Sequence, residues 1–400
     1  MPTSDVDGAS EHWDPAHPVL EVLRARRASG SRPGQRDDGA KVALAVEGGG
    51  MRGVISAAML TELEDYGFKD AFDVVYGCSS GGINGAYFLA GETWYPLSIY
   101  YDDLTTKKFV DFSRALRRLP ILGLDYAFDH VMERVKPLDY EAVLRSEIPL
   151  AIPITDVDAL QTVVLRDFAS RSELKEALRA SAWLPIAVPG TVQMADGRRA
   201  VDGGVLTALP FRLAINDGCT HVLSLSTRPM REPSDGFTLM HRYTRAHLER
   251  MSRGLGDGYL AAIIQKHSDQ AWLHRTRTAP EADPAYVLDL APLPWMTELK
   301  RHELRHHQLL ENARTAYGIA FCATEGRPSV QLRRSSIRAM PKLTMVDTTD
   351  GQPQRFAGST PRGVTHSDGV RRPAPDTAER SLGATAERPS GDQPAPDAPA

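Results

Sequence analysis

The sequence predicts an α/β domain built on a mostly parallel sheet. Three observations carry this. Val42–Val46 (VALAV) is a short, wholly apolar run that stops at glycines, as a strand buried on both faces does. Val54 to Tyr66 follows with apolar residues at helical spacing. The same alternation then repeats, with Phe72–Tyr76 (FDVVY) as a second strand and Gly82 to Ala90 as a second helix.

Further along, Ile148–Ile154 reads as a strand and Glu173–Ser181 as a helix. Thr191–Met194 and Arg199–Val201 read as strands around an Asp196-Gly197 turn. Thr220–Ser226 is a further strand, and Leu299 to Cys322 a long final helix. The ends look different. Residues 1–40 include ASGSRPGQRDDG (Ala28 to Gly39), which has almost no apolar content and is expected to be a flexible leader. Residues 333–400 are rich in Pro, Gly, Asp, Arg and Thr and are expected to be a disordered tail, because they offer too little apolar surface to offset ordering entropy. The folded part then divides into a core over 41–217 and a continuation of the same domain over 218–332.

Composition narrows the function. The chain has 400 residues, 42% of them hydrophobic, so a sizeable core is available. A net charge of -4 gives no reason to expect a nucleic-acid partner. Cys78, Cys219 and Cys322 have no CxxC spacing, which argues against a disulfide framework and a zinc site and favours a reducing compartment. Neither a signal peptide nor a membrane-spanning run is legible. A cytoplasmic protein is expected; attachment to a membrane surface stays open, since it needs no spanning helix.

Three loops carry chemistry. The first, Glu47-Gly48-Gly49-Gly50-Met51-Arg52-Gly53, joins a strand to a helix. Adjacent glycines allow backbone N–H groups to converge, and the helix start adds partial positive charge, so the loop suits a phosphate or a developing oxyanion. Gly48, Gly50 and Gly53 also spell GxGxxG, the dinucleotide fingerprint. That rival expects an acidic ribose contact at the end of the second strand, where this chain has Gly77-Cys78-Ser79 instead. The second loop, Gly77-Cys78-Ser79-Ser80-Gly81, is GxSxG between strand and helix, a context that exposes Ser79 on a sharp bend. The third, Asp202-Gly203-Gly204, would be an ordinary turn if it stood alone. Beside a serine nucleophile it offers a base. A Ser-His-Asp hydrolase is the other rival, but His130, His221 and His241 have no distinctive neighbours. His247, His267, His274, His302, His306 and His307 lie on charged helical stretches.

EGGGMRG, GCSSGG (Gly77–Gly82) and DGG, in this order, resemble the patatin-like phospholipase family. Ala180-Ser181-Ala182-Trp183-Leu184-Pro185 resembles the small-residue segment that precedes the aspartate in that family. The likeness spans about Val42 to Asp217. It implies a three-layer α/β/α sandwich and a serine acyl hydrolase of phospholipase A or lysophospholipase type. Ser79 would attack the ester and Asp202 would take its proton, with no histidine. The amides of Gly48, Gly49 and Gly50 would hold the oxyanion, and Arg52 would position the loop or meet an anionic head group. Met51, Gly53, Gly77, Cys78, Ser80, Gly81, Gly203 and Gly204 complete the motifs. The resemblance implies a lipid substrate and neither a metal nor an organic cofactor. Between the second and third loops, Lys107 to Leu122 mixes basic and apolar residues. It reads either as an amphipathic segment packed on the core or as a lid or patch that meets a lipid surface.

Overall fold

The computed structural model describes residues 11–229 and 237–334, together with the backbone of two short paired strands, Val346–Asp347 and Gln354–Arg355. Strands β1 (Val42–Val46), β2 (Val74–Gly77), β3 (Leu150–Asp156), β4 (Gln161–Leu165), β5 (Val192–Gln193), β6 (Arg199–Asp202), β7 (His221–Leu225) and β8 (Tyr286–Leu290) form one mixed sheet. Its order is β5-β6-β3-β2-β1-β7-β8, with β4 paired to β3. The central pairs β3–β2, β2–β1, β1–β7 and β7–β8 are parallel. The β3–β4, β3–β6 and β5–β6 pairs are antiparallel.

Alternation along β1 explains the layers. Side chains of a strand point to opposite faces in turn. Val42, Leu44 and Val46 enter one core, shared with Leu20, Leu60, Phe88 and Ile319. Those residues belong to α1 (Pro18–Ser29), α2 (Gly53–Asp65), α3 (Ser80–Ala90) and, at the far end of the chain, helix His306–Thr324. Ala43 and Ala45 enter a second core with Phe211, Ala214 and Leu273 from the helices on the opposite face. The chain is thus a sheet covered by helices on both sides.

Further α-helices are the short α4 (Trp94–Leu97) and α5 (Tyr140–Leu144), then α6 (Arg171–Ser181), α7 (Phe211–Asn216), α8 (Leu239–Met251), α9 (Leu255–Thr276), α10 (His306–Thr324) and a last turn, Gln331–Arg334; π-helical segments run over Ile99–Asp103 and Tyr126–Val135. α6 shows how local sequence sets an element. Ser170 accepts the Glu173 N–H, and the Glu173 carboxylate accepts the N–H of Ala169, which fixes the helix start. Leu174, Ala177, Leu178 and Ser181 then bury one face at helical spacing. Its last residue, Ser181, therefore arrives inside the protein with a fixed direction.

Two expectations are corrected. Within the expected leader of residues 1–40, Trp13 and α1 are part of the core: Trp13, Val19, Leu20 and Leu23 are fully buried. Arg26 fastens α1 to the sheet side by donating to Asp38, Asp73 and the carbonyls of Ala40 and Ala71. Residues 1–10 lie outside the described residues, as does most of the expected tail, beyond 334. The final helix begins at His306, not Leu299. The Glu303 carboxylate accepts the N–H groups of Leu304 and Arg305 and pairs with the Arg305 guanidinium, which makes a turn of the preceding stretch. Among the described residues, no helix is long and apolar enough to cross a membrane.

Candidate active site

β1, β2 and β6 deliver the three chemistry-bearing loops from their C-terminal ends. β1 and β2 are adjacent and parallel, with Val46 opposite Gly77, so the glycine loop and the serine bend start side by side. β6 pairs with β3, placing Asp202 opposite Ile154.

Ser79 stands between β2 and α3 with φ 56 and ψ -130. A positive φ is strained for a residue with a side chain, and such strain at a strand-to-helix bend lifts the hydroxyl out of both elements. The bend is braced from below. Ser181 Oγ accepts the Ser79 N–H at 2.9 Å and donates to the Pro153 carbonyl at 2.9 Å, tying α6, β3 and the bend together. Close glycine contacts complete the brace. A Cβ on Gly81 would overlap the Val46 carbonyl, and one on Gly203 would overlap the Pro153 carbonyl.

Asp202 is buried beside this bend. One carboxylate oxygen accepts the Gly204 N–H at 2.7 Å, and Cys78 Sγ approaches it at 3.7 Å. The Ser79 side chain lies near enough to favour its ionised form. Burial raises the Asp202 pKa above the ordinary carboxylate value; the Gly204 bond, the Ser79 side chain and the charge of Arg301 oppose this without cancelling it. The adjacent Cys78 thiol is pushed up by burial and by the Asp202 charge, so it stays protonated. Among the described residues, no histidine hydrogen-bonds Ser79 or Asp202.

The glycine loop packs directly on the bend. A Cβ on Gly48 would overlap Cys78 O and Ser79 Cβ. This close approach by the chain itself occupies the place where a dinucleotide pyrophosphate would need the glycine. Gly50 takes φ 59, a left-handed conformation suited to glycine. The three expected oxyanion glycines separate here. The Gly49 N–H is donated to Ser80 Oγ at 3.0 Å and is not available to a substrate, which corrects the expectation for Gly49. Met51 N–H is held by the Arg301 carbonyl at 3.0 Å. Among the described residues, the N–H groups of Gly48 and Gly50 have no protein partner; both glycines are partly exposed, and Gly48 packs on Ser79 Cβ.

Behind the loop lies a buried charge cluster. Glu47 accepts from Thr227 N–H at 2.7 Å, from Thr227 Oγ1 at 2.9 Å and from Lys266 Nζ at 3.0 Å. Burial alone would raise the Glu47 carboxyl, but Lys266, Arg52 and Arg228 outweigh it and hold it at about 2. Thr227 Oγ1 also reaches the Gly48 carbonyl at 3.1 Å. Glu47 thus fastens the loop to the end of β7 and to α9. Ser181, Thr227, Lys266, Arg228 and Arg301 received no role from the sequence. Only Ser181 carried a signal, inside its small-residue segment; the others reach the site through long-range packing. Arg301 falls within the expected final helix, Leu299 to Cys322, yet it precedes α10 and buttresses the loop through its carbonyl.

All three cysteines are free and buried. Among the described residues, no group of three or more His, Cys, Asp and Glu side chains is placed to hold a metal ion.

The family model for patatin-like phospholipase matches residues 44–215. This span holds the three loops and all the expected site residues. The chain is 25% identical over 232 residues to the uncharacterized protein YjjU of Escherichia coli (strain K12), covering 56% of this chain and 60% of that protein. It therefore spans under two thirds of that relative's length. The crystal structure of VipD from Legionella pneumophila overlays with a TM-score of 0.37 at 10% identity, over 72% of this chain and 67% of that one.

Proposed function

From the premise that this chain belongs, through residues 44–215, to the patatin-like phospholipase family, we propose that it is a lipid acyl hydrolase working through a Ser79–Asp202 dyad. One observation carries the reading. A serine on a strained bend lies beside a buried carboxylate whose ionisation it affects, and the glycine loop packed on that bend carries two amides without a protein partner among the described residues.

Each group has a step. Ser79 Oγ attacks the acyl carbonyl while Asp202 takes its proton; the raised pKa makes Asp202 a better base than an ordinary carboxylate. The carbonyl oxygen becomes an oxyanion, which the Gly48 and Gly50 amides stabilise. Such donors contribute about 3 kcal/mol each to the barrier. Collapse expels the alcohol, which recovers the proton from Asp202. Water then attacks the acyl-serine with Asp202 again as base, releasing the fatty acid. Positioning falls to Ser181, which fixes the bend, and to Arg52 and Glu47 behind the loop.

The substrate class is an acyl ester of a lipid. A transient contact with a lipid surface is part of the proposal and is supported by an exposed patch. Between the Val110–Leu122 bridge, Phe112, Leu116 and Leu119 are exposed beside Arg117 and Arg118.

The test is fatty-acid release across a panel of acyl esters, with fluorophosphonate labelling. Wild type should release fatty acid and be labelled; Ser79→Ala and Asp202→Asn should lose at least about a thousandfold in rate, as loss of a member of such a unit does. Single His→Ala variants should keep activity. Hydrolysis that survives in Ser79→Ala would overturn the assignment.

A further inference from the structure

The helix that begins at the Ser79 bend also carries side chains that grip the glycine loop. Ser80, the first residue of α3, accepts the Gly49 N–H at 3.0 Å. Asn84 lies one turn further along the same face of α3. Its Nδ2 donates to the Gly53 carbonyl at 2.9 Å and to Ser56 Oγ at 3.1 Å. Ser56 Oγ donates in turn to the Gly53 carbonyl at 3.2 Å. α3 thus holds the loop twice, at Gly49 and at Gly53, where α2 begins.

Tyr100 joins the two grips. It lies in the π-helical segment Ile99–Asp103, outside all three motif loops. Its hydroxyl donates to Asn84 Oδ1 at 2.8 Å. A Cβ on Gly53 would overlap both Tyr100 Oη and Ser80 Oγ, so the two hydroxyls converge over one Cα. Burial pushes the Tyr100 pKa up against the opposing influence of Asn84 and Ser80, so the hydroxyl keeps its proton as a donor. Ser80, Asn84 and Tyr100 are all buried. In a buried network a lost partner strands another polar group, so the arrangement is held tightly.

We propose that Asn84 and Tyr100 are positioning residues for the oxyanion amides: through Ser80 and the Gly53 carbonyl they fix the Gly48–Gly50 segment relative to Ser79, with the Ser80 hydroxyl donating onward to Tyr100 Oη. The inference rests on the hydrolase reading above. Its physical content is that the nucleophile and the oxyanion donors share one rigid support, α3. A severed link shifts the amides away from the developing oxyanion, and a shift of about 1 Å can cost about a hundredfold in rate. Binding of the uncharged ester draws little on those amides and is left nearly intact.

The test measures kcat and KM for one soluble acyl ester. Alongside, it measures inhibition by a trifluoromethyl ketone of the same acyl chain, whose adduct with Ser79 carries an oxyanion. Tyr100→Phe and Ser80→Ala should each lower kcat about ten- to hundredfold with KM little changed, and should weaken the ketone by the same factor. The double variant should lose no more than the worse single one, because both act on one amide. Tyr87→Phe is the control. It removes another buried hydroxyl of α3, about two turns beyond Ser80, which donates to the Lys136 carbonyl at 2.6 Å. It should lower the melting temperature and leave kcat and ketone inhibition unchanged. Wild-type kcat and ketone affinity in Tyr100→Phe and Ser80→Ala, or an equal loss in Tyr87→Phe, would overturn the inference and leave the hydrolase standing. A wild-type protein that cleaves no ester would overturn both. If Ser80→Ala does not fold, Tyr100→Phe, which keeps the ring, carries the test.

Discussion

At the scale of single residues, Asp202 shows what burying a carboxylate costs the fold. Its folded pKa is raised chiefly by burial. A raised acid pKa means that the folded state binds the proton more tightly than the unfolded chain. The associated stability is full below the unfolded value of about 4 and is lost as pH rises through the folded value. Asp202→Asn removes this loss, and its amide oxygen can still accept the Gly204 N–H that Asp202 accepts at 2.7 Å. The variant is therefore expected to be inactive yet more stable than wild type at pH 7, with the two converging as pH falls below about 4. Thermal melts of both proteins across pH check this; an Asn variant less stable than wild type at neutral pH would show that the carboxylate is structural. Kinetics belong to the same residue. The acid limb of kcat/KM should lie above the ordinary carboxylate range, since only ionised Asp202 can take the serine proton.

At the scale of elements, the parallel strands were legible because burial on both faces erases polar positions: VALAV in β1 could hardly be anything else. The loops that follow β1, β2 and β6 were legible because glycine and serine at fixed spacing serve a local geometry. Neither the antiparallel β4 nor the strand β8 is among the strands the sequence predicts. β4 is half-exposed QTVVL and lacks a pattern of its own; its place is set by pairing with β3. The Gly49 correction has the same origin, because only the fold brings Ser80 Oγ to its N–H. The sequence of Lys107 to Leu122 fits both core and surface, and in the structure its parts divide. Phe109 and Val110 are buried. Arg114 faces inward on the carbonyls of Lys107 and Lys108, so it braces the loop. Leu116 is 91% exposed and Phe112 55%, with Phe112 also edge-on to His302, next to the Arg301 that buttresses the glycine loop. Burying such a side chain in lipid contributes about 2 kcal/mol, and each basic residue near an anionic surface about 1 kcal/mol. Leu116→Asp with Phe112→Asp should therefore cut co-sedimentation with anionic vesicles at least tenfold, by the same arithmetic. Hydrolysis of a soluble short-chain ester should change much less. Equal binding by the variant and wild type would return the patch to an ordinary surface.

At the scale of the molecule, the motif-bearing loops depend on a core that extends past the family match at both ends. Helices α1 and α10 lie outside residues 44–215, yet both enter the apolar layer that covers β1 and α2. Trp13 and three α1 side chains are fully buried there, and Arg26 gathers Asp38 and Asp73 with two backbone carbonyls around its guanidinium. Asp73 in turn accepts the N–H of Val42, the first residue of β1. Removing residues 11–40 would thus uncover the parts of β7, β8 and α10 that α1 packs against and leave Asp73 without Arg26 and Arg36. At about 1.5–3 kcal/mol for each large apolar side chain whose burial is lost, four such residues approach the whole stability of a typical domain. A chain that starts at residue 41 is expected to be insoluble or to lack a cooperative melt, although it retains every motif residue. Arg26→Ala in the full chain should be milder: it should lower the melting temperature while the protein still folds and turns over substrate. Calorimetry of the two proteins, with fluorophosphonate labelling as a report on the Ser79 bend, decides the matter. A truncated chain that melts cooperatively and labels at the wild-type rate would show that the motif-bearing segment folds without its outer helix.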